Sequence, residues 1–284
     1  MAVKKQSISI FFPFLNDWGT VGSLIGLSIS TVSKLTDDWE IIIINDGSLP
    51  ENSAALEAVT KVFNLAFKSK VNPPAGGQKS KIQIKNQNFL DKIRIIHHEK
   101  NKGYGGALRS GINACTKDLI FYTDCDAQYD PREMALLYEK MKASSLAKAS
   151  ADKVGLVNGY KIKRNDPWIR VVAGRVYHYA VRFAFGLPIK DTDCDFRLMR
   201  REVFDPSAGS GRTRVRLFEN TGTICVELVK KIDRAGYKIE EVPVHHFWRT
   251  SGKSQFFNFK RLYATGSNLV KLWWKLVIIG NYSS

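Results

Sequence analysis

Apolar residues fall into short continuous runs separated by longer stretches of mixed polarity. Residues 7–14, SISIFFPF, predict a buried strand. Residues 40–45, EIIIIN, carry four consecutive isoleucines and stop at Asp46-Gly47-Ser48, the pattern of a strand covered on both faces. KIRIIHH at 92–98 and DLIFYT at 118–123 repeat it. Between these runs, residues 20–35, 51–67, 105–116 and 131–148 read as helices. Strand and helix in alternation predict an α/β fold with a mostly parallel, doubly wound sheet. Ligands of such sheets bind beyond the carboxyl ends of the strands.

Residues 68–90 break the rhythm with Lys, Asn, Gln, Gly and Pro, and read as a mobile surface insertion. Residues 205–219 read as a second flexible loop, 221–235 as a helix and 237–244 as a strand. From Phe256 to Ile279 a helix interrupted near Gly266 is expected. Phe256, Phe257, Phe259, Leu262, Tyr263, Leu269, Leu272, Trp273, Leu276 and Ile279 give it an apolar face, interleaved with Lys260, Arg261, Lys271 and Lys275. Two lysines inside LVKLWWKLVIIG argue against spanning a membrane, and Trp-Trp flanked by Lys suits a helix lying in its interface. Core packing or a dimer face would use the same pattern. The expected organisation is one domain over residues 1–255 and an amphipathic extension over 256–284.

Composition narrows the partners. Formal net charge is +16, and it is uneven. Residues 1–150 hold 19 Lys/Arg against 15 Asp/Glu, whereas residues 151–284 hold 24 against 12. The second half therefore suits something anionic, namely nucleic acid, a membrane or a phosphorylated ligand, the alternative being a merely soluble basic surface. Four cysteines without CxxC spacing exclude a disulfide scaffold and suggest a reduced compartment. The opening MAVKKQSISIFFPF is a poor signal peptide, and no run of eighteen apolar residues occurs.

The chemistry sits at the strand ends. Asp124-Cys125-Asp126 follows LIFYT directly, and carboxylates at i and i+2 share one side of an extended chain. Such a pair can hold Mg²⁺ or Mn²⁺ against the phosphates of a nucleoside diphosphate; the alternative is a solvated turn. Asp46 ends the second strand in the same way and can accept hydrogen bonds from a base or ribose. The segment also fits a helix start, with Ser48 as N-cap and Glu51 three residues on. Gly103-Tyr104-Gly105-Gly106 can cradle phosphate, but it follows the third strand and no GxGxxG follows the first, which argues against a nicotinamide fold. Tight strand-to-helix packing explains these glycines better. Cys125 is the cysteine with a candidate reactive environment.

FFPFLND, IIIINDGS, HHEKNKGYGGALRSG, FYTDCDAQYDP, IKDTDCDFRLMRREVF and AGYKIEEVPVHHFWRTSGKS follow one another over residues 7–255. In that order they resemble the GT-A glycosyltransferases of the large inverting family, in the dolichyl-phosphate mannose synthase and bacterial polyprenyl-phosphate glycosyltransferase branch. The resemblance implies that Pro13, Leu15 and Asp17 line the nucleotide pocket, that Asp46 meets the base, and that Asp124 and Asp126, with Cys125 between them, form the metal-binding motif. It implies that Gln128 assists the metal, that Asp191 faces the acceptor, and that Arg249 and Ser254 meet phosphate. The chain departs from the family pattern at Asp17 (usually Glu), Leu15 (usually Tyr), Asp195 (usually Gly) and Gln255 (commonly Lys).

An inverting transferase stabilises the departing diphosphate, exposes the anomeric carbon and positions a nucleophile. A hydroxyl acceptor requires a base. A lipid monophosphate, with a second pKa near ~6, requires cations instead. The basic half, with Lys161, Lys163, Arg164, Arg170, Arg175, Arg182 and Arg197, suits the second case. The resemblance, together with this charge distribution, therefore implies a metal-dependent inverting glycosyltransferase moving a sugar from a nucleotide-diphosphate sugar to a polyprenyl phosphate. It would work peripherally on the cytoplasmic face of a membrane, without nucleic acid, with Lys161 and Arg164 among its phosphate-binding residues. Transfer to a saccharide or other soluble hydroxyl, and a catalytically silent nucleotide-binding or membrane scaffold, are the alternatives.

Overall fold

Isoleucines 41–44 are all fully buried, which requires a strand covered on both faces. In the computed structural model they form the middle of β2 (Trp39–Asn45). The structure describes residues 5–71, 92–145, 153–162, 168–205, 214–249 and 259–282. The strands are β1 (Ile8–Phe14), β2, β3 (Ile93–His97), β4 (Leu119–Thr123), β5 (Val154–Lys161), β6 (Phe196–Arg200) and β7 (Lys238–Val244). They make one sheet in the order β3-β2-β1-β4-β6-β5-β7. All neighbours are parallel except that β6 runs antiparallel to β4 and β5.

The helices are α1 (Trp18–Leu35), α2 (Pro50–Val71), α3 (Tyr104–Ala114), α4 (Met134–Ser145), α5 (Trp168–Phe185), α6 (Ile224–Arg234) and α7 (Phe259–Trp273). Alternation along the strands divides the core. Ile8, Ile10, Phe12 and Phe14 of β1 pack with α1, α2 and α4, while Phe11, Ile42 and Tyr122 pack with α3, α5, α6 and α7. Chain order reverses between β1 and β4, so the crevice beyond their carboxyl ends is the switch point of the sheet. Among the described residues no helix is long and apolar enough to cross a membrane.

Several expectations change. Helix α2 continues to Val71, four residues past its expected end, and residues 72–90 of the insertion lie outside the described residues. The sequence reading assigned no element to residues 149–204, which hold β5, α5 and β6. FRLMR hides as a strand because Arg197 is fully buried yet satisfied, donating to Asn158 Oδ1 at 2.8 Å, Tyr122 OH at 2.7 Å and the Thr192 carbonyl at 3.1 Å. Helix α7 runs through Gly266 without a break and continues as a π-type turn over Trp274–Ile278. A Cβ at Gly266 would meet nothing within 4 Å, so this exposed glycine costs only its propensity, about 1 kcal/mol. Of the expected loop at 205–219, residues 206–213 lie outside the described residues and 214–219 are tied down, as shown below.

Candidate active site

A cavity of about 540 Å³ opens at the switch point. Pro13, Phe14 and Leu15 from the end of β1, Asp46 from the end of β2, and Asp124, Cys125 and Asp126 from the end of β4 line it. The far wall is Asn220, Thr221 and Gly222 before α6, with Arg249 after β7 and Ala264, Thr265 and Asn268 of α7. Helix α7 of the expected extension thus contributes to the pocket wall. Its Leu272 and Leu276 are buried against the second core.

The first loop is shaped by Asn16, whose φ of 65° lies in the left-handed region. Its side-chain Oδ1 accepts from Leu49 N at 2.9 Å and Asn52 Nδ2 at 3.0 Å, and its own N donates to Ser48 Oγ at 3.1 Å. Asn16 therefore ties the loop after β1 to Leu49, just before α2, and to the Asn52 side chain in its first turn. The box expected between Ser48 and Glu51 does not form, because Pro50 starts the helix and Ser48 Oγ is engaged by Asn16. Nothing local in the sequence marks Asn16 for this task.

Asp46 is buried, and its Oδ1 accepts from His98 Nδ1 at 2.6 Å and from Lys102 N at 2.8 Å. His98 Nε2 meets Ser110 Oγ at 2.8 Å. Gly47, with φ 70°, brings the loop so close to residue 101 that a Cβ would stand 2.6 Å from Asn101 N. Asp46 Oδ2 takes no hydrogen bond among the described residues, so one oxygen fixes the loop and the other is open to a ligand.

Asp124 accepts from Tyr104 OH at 2.8 Å. Asp126 accepts from Gln128 N at 3.0 Å and pairs with Arg249 Nη2 at 2.7 Å. Burial, then the charges of Asp195 and Asp126, hold Asp124 well above the ordinary carboxylate range, against Tyr104 and Arg249. Burial also raises Asp126, against Arg249, and burial with Asp126 raises Asp17. Arg249 is the cation among the described lining residues. A set of hard oxygens short of positive charge fits Mg²⁺ or Mn²⁺. Among the described residues no three His, Cys, Asp or Glu side chains converge as a metal-ligand group; Asp124 and Asp126 are the carboxylates here that would hold such an ion. Gln128 Oε1 accepts from Arg249 Nη2 at 3.3 Å, and its Nε2 donates to the Phe247 carbonyl at 3.2 Å. In this arrangement it braces the arginine.

The far wall is held by close backbone approach. Gly105 N donates to the Asn220 carbonyl at 3.0 Å, and Arg109 reaches the Glu219 carbonyl and Asn220 Oδ1. A Cβ on Gly105 would stand 2.8 Å from the carbonyl carbons of both Glu219 and Asn220. Gly103 and Gly105 therefore admit the backbone of the 219–220 loop rather than a strand, and Gly103 and Tyr104 also line the cavity. From beneath, the fully buried Glu227 accepts from Phe218 N at 3.0 Å and Glu219 N at 2.9 Å, and pairs with Lys231 at 3.0 Å. Lys231 and Lys275 both face the Phe218 ring, at 4.3 and 3.4 Å from its centroid.

Asp191 is not among the lining residues. It is buried, accepts from Lys161 N at 3.2 Å and Asp193 N at 3.0 Å, and pairs with Lys161 Nζ at 3.5 Å. Lys161 Nζ donates to the Asp193 carbonyl at 2.6 Å. Asp195 is the acid of this segment that acts on Asp124; its Oδ1 accepts from Cys225 Sγ at 3.1 Å and Tyr122 OH at 3.4 Å. All four cysteines are buried and free. Burial and the flanking acids push the Cys125 thiol well up, which removes its thiolate character. Arg164 and Ser254 lie outside the described residues.

Residues 80–206 match the family model described as Glycosyl transferase family 2. The glycosyltransferase AglD of Haloferax volcanii is 23% identical over 95% of this chain and 38% of its own length. Undecaprenyl-phosphate 4-deoxy-4-formamido-L-arabinose transferase of Enterobacter sp. is 25% identical over 90% of this chain and 64% of its own. The chain thus spans less than two thirds of either relative. Among solved structures, glucosyl-3-phosphoglycerate synthase from Mycobacterium tuberculosis with phosphoglyceric acid shares the fold, with a TM-score of 0.59 and 17% identity over 95% of this chain and 79% of that one. The same enzyme has been solved with Mn²⁺, UDP and glucosyl-3-phosphoglycerate, with a TM-score of 0.58 and 17% identity over the same shares of both chains.

Proposed function

We propose that this chain, whose residues 80–206 match the Glycosyl transferase family 2 model within a GT-A-like α/β fold, moves a sugar from a nucleoside diphosphate to a polyprenyl phosphate. One observation carries the reading: Asp46, Asp124, Asp126 and Arg249, far apart in sequence, meet around one cavity at the switch point. Solved neighbours holding Mn²⁺ with UDP-glucose support the donor class. The name of the undecaprenyl-phosphate transferase relative supports the acceptor class.

In this reading Asp46 holds the nucleoside through its open oxygen, between Pro13, Leu15 and Asp17. Asp124 and Asp126 hold a divalent cation, with Gln128 beside them. When bound, that cation stabilises the charge developing on the departing diphosphate. Arg249 contributes a planar fork for phosphate oxygens, and Tyr104 orients Asp124. The acceptor phosphate is already nucleophilic near neutral pH and needs cations, not a base. Arg249, Arg164 and Ser254 are the residues assigned to it. Lys161 is neutralised by Asp191, so this pair shapes the acceptor segment. The enzyme works at the cytoplasmic surface of a membrane, where its acceptor resides.

A hydroxyl acceptor has one observation in its favour. Asp195 lies close enough to be the strongest like-charge influence on Asp124, and its Oδ2 takes no hydrogen bond among the described residues. The test is release of nucleoside diphosphate from a panel of sugar donors with Mn²⁺, with and without polyprenyl phosphate. Release should require the lipid phosphate and vanish with chelator and in Asp126→Asn. Release supported by a saccharide while polyprenyl phosphate is inert, with an Asp195→Asn defect that eases at high pH, would overturn the reading.

A further inference from the structure

Arg249 holds two of the side chains around the candidate cation site at once. Its Nη2 pairs with Asp126 Oδ2 at 2.7 Å and donates to Gln128 Oε1 at 3.3 Å. The other Asp126 oxygen, Oδ1, accepts from Gln128 N at 3.0 Å, and Asp124 Oδ1 accepts from Tyr104 OH at 2.8 Å. Of these carboxylate oxygens, Asp124 Oδ2 alone has neither a hydrogen bond nor an ion pair among the described residues. A divalent cation arriving by itself therefore meets a guanidinium already seated on Asp126, and like charges at that spacing repel. The same positive charge also acts on Asp17 and Asp124, so one arginine serves all three acids of the pocket floor.

The root of this arm is fixed, but its tip has few contacts. Phe247 N donates to the Gln128 carbonyl at 2.8 Å, and Gln128 Nε2 returns to the Phe247 carbonyl at 3.2 Å, which clips the chain just before Arg249. The Arg249 side chain is 35% exposed, and its bond to Gln128 is long. It lines the same cavity as Asp46. A nucleoside diphosphate arriving there offers several anionic oxygens, which a guanidinium pairs with two at a time, whereas Asp126 gives it one.

We infer that Arg249 is the built-in counter-ion of the cation site: before nucleotide arrives it neutralises Asp126, and on arrival it transfers to the diphosphate and releases Asp126 and Gln128 to the cation. Metal and nucleotide then bind as a coupled pair, and metal alone binds poorly. This rests on the assignment of Asp124 and Asp126 to the metal made above. The alternative is a brace that stays on Asp126 throughout, and the two differ in linkage. An arginine that leaves makes part of the gain in Mn²⁺ affinity caused by UDP, so its removal shrinks that gain. A stationary arginine repels Mn²⁺ equally with and without UDP, so its removal shifts both affinities by one factor.

The test measures Mn²⁺ binding to the full chain by electron paramagnetic resonance of the free ion, at fixed ionic strength, without and with saturating UDP. Arg249→Gln should bind Mn²⁺ alone at least about fivefold more tightly than wild type, and its gain from UDP should be at least about fivefold smaller. Arg249→Met, which adds no oxygen ligand, should behave alike. Arg132→Gln, which removes the same charge from an exposed pair with Asp130, should match wild type. Unchanged Mn²⁺ affinity in both Arg249 variants, or equal shifts with and without UDP, overturns the inference. Asp126→Asn keeps the two readings apart. If it leaves Mn²⁺ binding with UDP intact, the metal assignment falls and the inference with it. If it removes that binding while the Arg249 variants match wild type, the assignment stands and the counter-ion role falls.

Discussion

Gly105→Ala sets two effects of similar size against each other at the wall of the pocket. Alanine in helix α3 should gain up to about 1 kcal/mol over glycine from propensity alone. The new Cβ, however, would stand 2.8 Å from the backbone carbons of Glu219 and Asn220, and closer still to the Glu219 oxygen. That loop cannot simply retreat. It is tied to α3 through Gly105 N and Arg109 and to α6 through Glu227, whose buried carboxylate depends on Phe218 N and Glu219 N. Overpacking of this kind costs about 1–3 kcal/mol. Weakening a hydrogen bond to a buried charge adds about 1.5–3 kcal/mol. The sum exceeds the propensity gain, so a net loss of about 2–4 kcal/mol is expected. Urea unfolding should show a lower midpoint with unchanged slope. Titration of UDP with Mn²⁺ should show weaker binding, because Asn220, Thr221 and Gly222 move with the loop. Gly19→Ala is the control, since a Cβ there meets nothing within 4 Å and should be neutral or slightly stabilising. A Gly105→Ala protein as stable as Gly19→Ala, with unchanged nucleotide affinity, would refute the argument.

Asp46→Ala should lose about 1–3 kcal/mol of stability, because His98 and Lys102 N lose their acceptor, and should also weaken nucleotide binding; calorimetry showing unchanged affinity would leave only the loop-fixing role. Arg249→Lys keeps the charge but loses the planar fork, so turnover should drop roughly ten- to a hundredfold in steady-state assays; a drop below threefold would argue that charge alone suffices. Glu40, buried in the sheet, is raised by burial, but donation from Ser9, Thr116 and Arg94 outweighs this and leaves it lowered overall. A carboxylate with a lowered folded pKa contributes stability above its ordinary range and loses it as pH falls through the folded value. The wild-type urea midpoint should therefore drop more steeply on acidification than that of Glu40→Gln, and parallel drops would contradict the assignment.

The strands that form the pocket floor were legible because β1, β2 and β4 are nearly continuous apolar runs, and Asp46, Asp124 and Asp126 were found because they follow such runs. The far wall was not legible. Asn220 and Thr221 reach the pocket only because Gly103 and Gly105 admit their backbone, and Thr265 and Asn268 only because α7 docks through Leu272 and Leu276. Buried charge misled in the same way. Arg197 and Arg200 disguised β6, and Glu227 and Lys231 resemble an ordinary surface pair until their partners are known. Asp191 and Asp195, four residues apart, differ in surroundings that no spacing could reveal: one is tied to Lys161, the other accepts from Tyr122 and Cys225 and its charge raises Asp124.

The placement of β6 has a consequence for biogenesis. On one side β4 pairs with β1, which is synthesised before it, but on the other it waits for β6. Arg200 lies 77 residues beyond Thr123. At ribosomal rates of ~5–20 residues per second, the nascent LIFYT edge stays open for roughly 4–15 s. An apolar edge left open that long is a template for pairing with other chains. Lys117 and Asp118 precede it and Asp124 and Asp126 follow it, so charges guard both ends during the wait. Both flanking charge pairs are in place well before Arg249 has been translated.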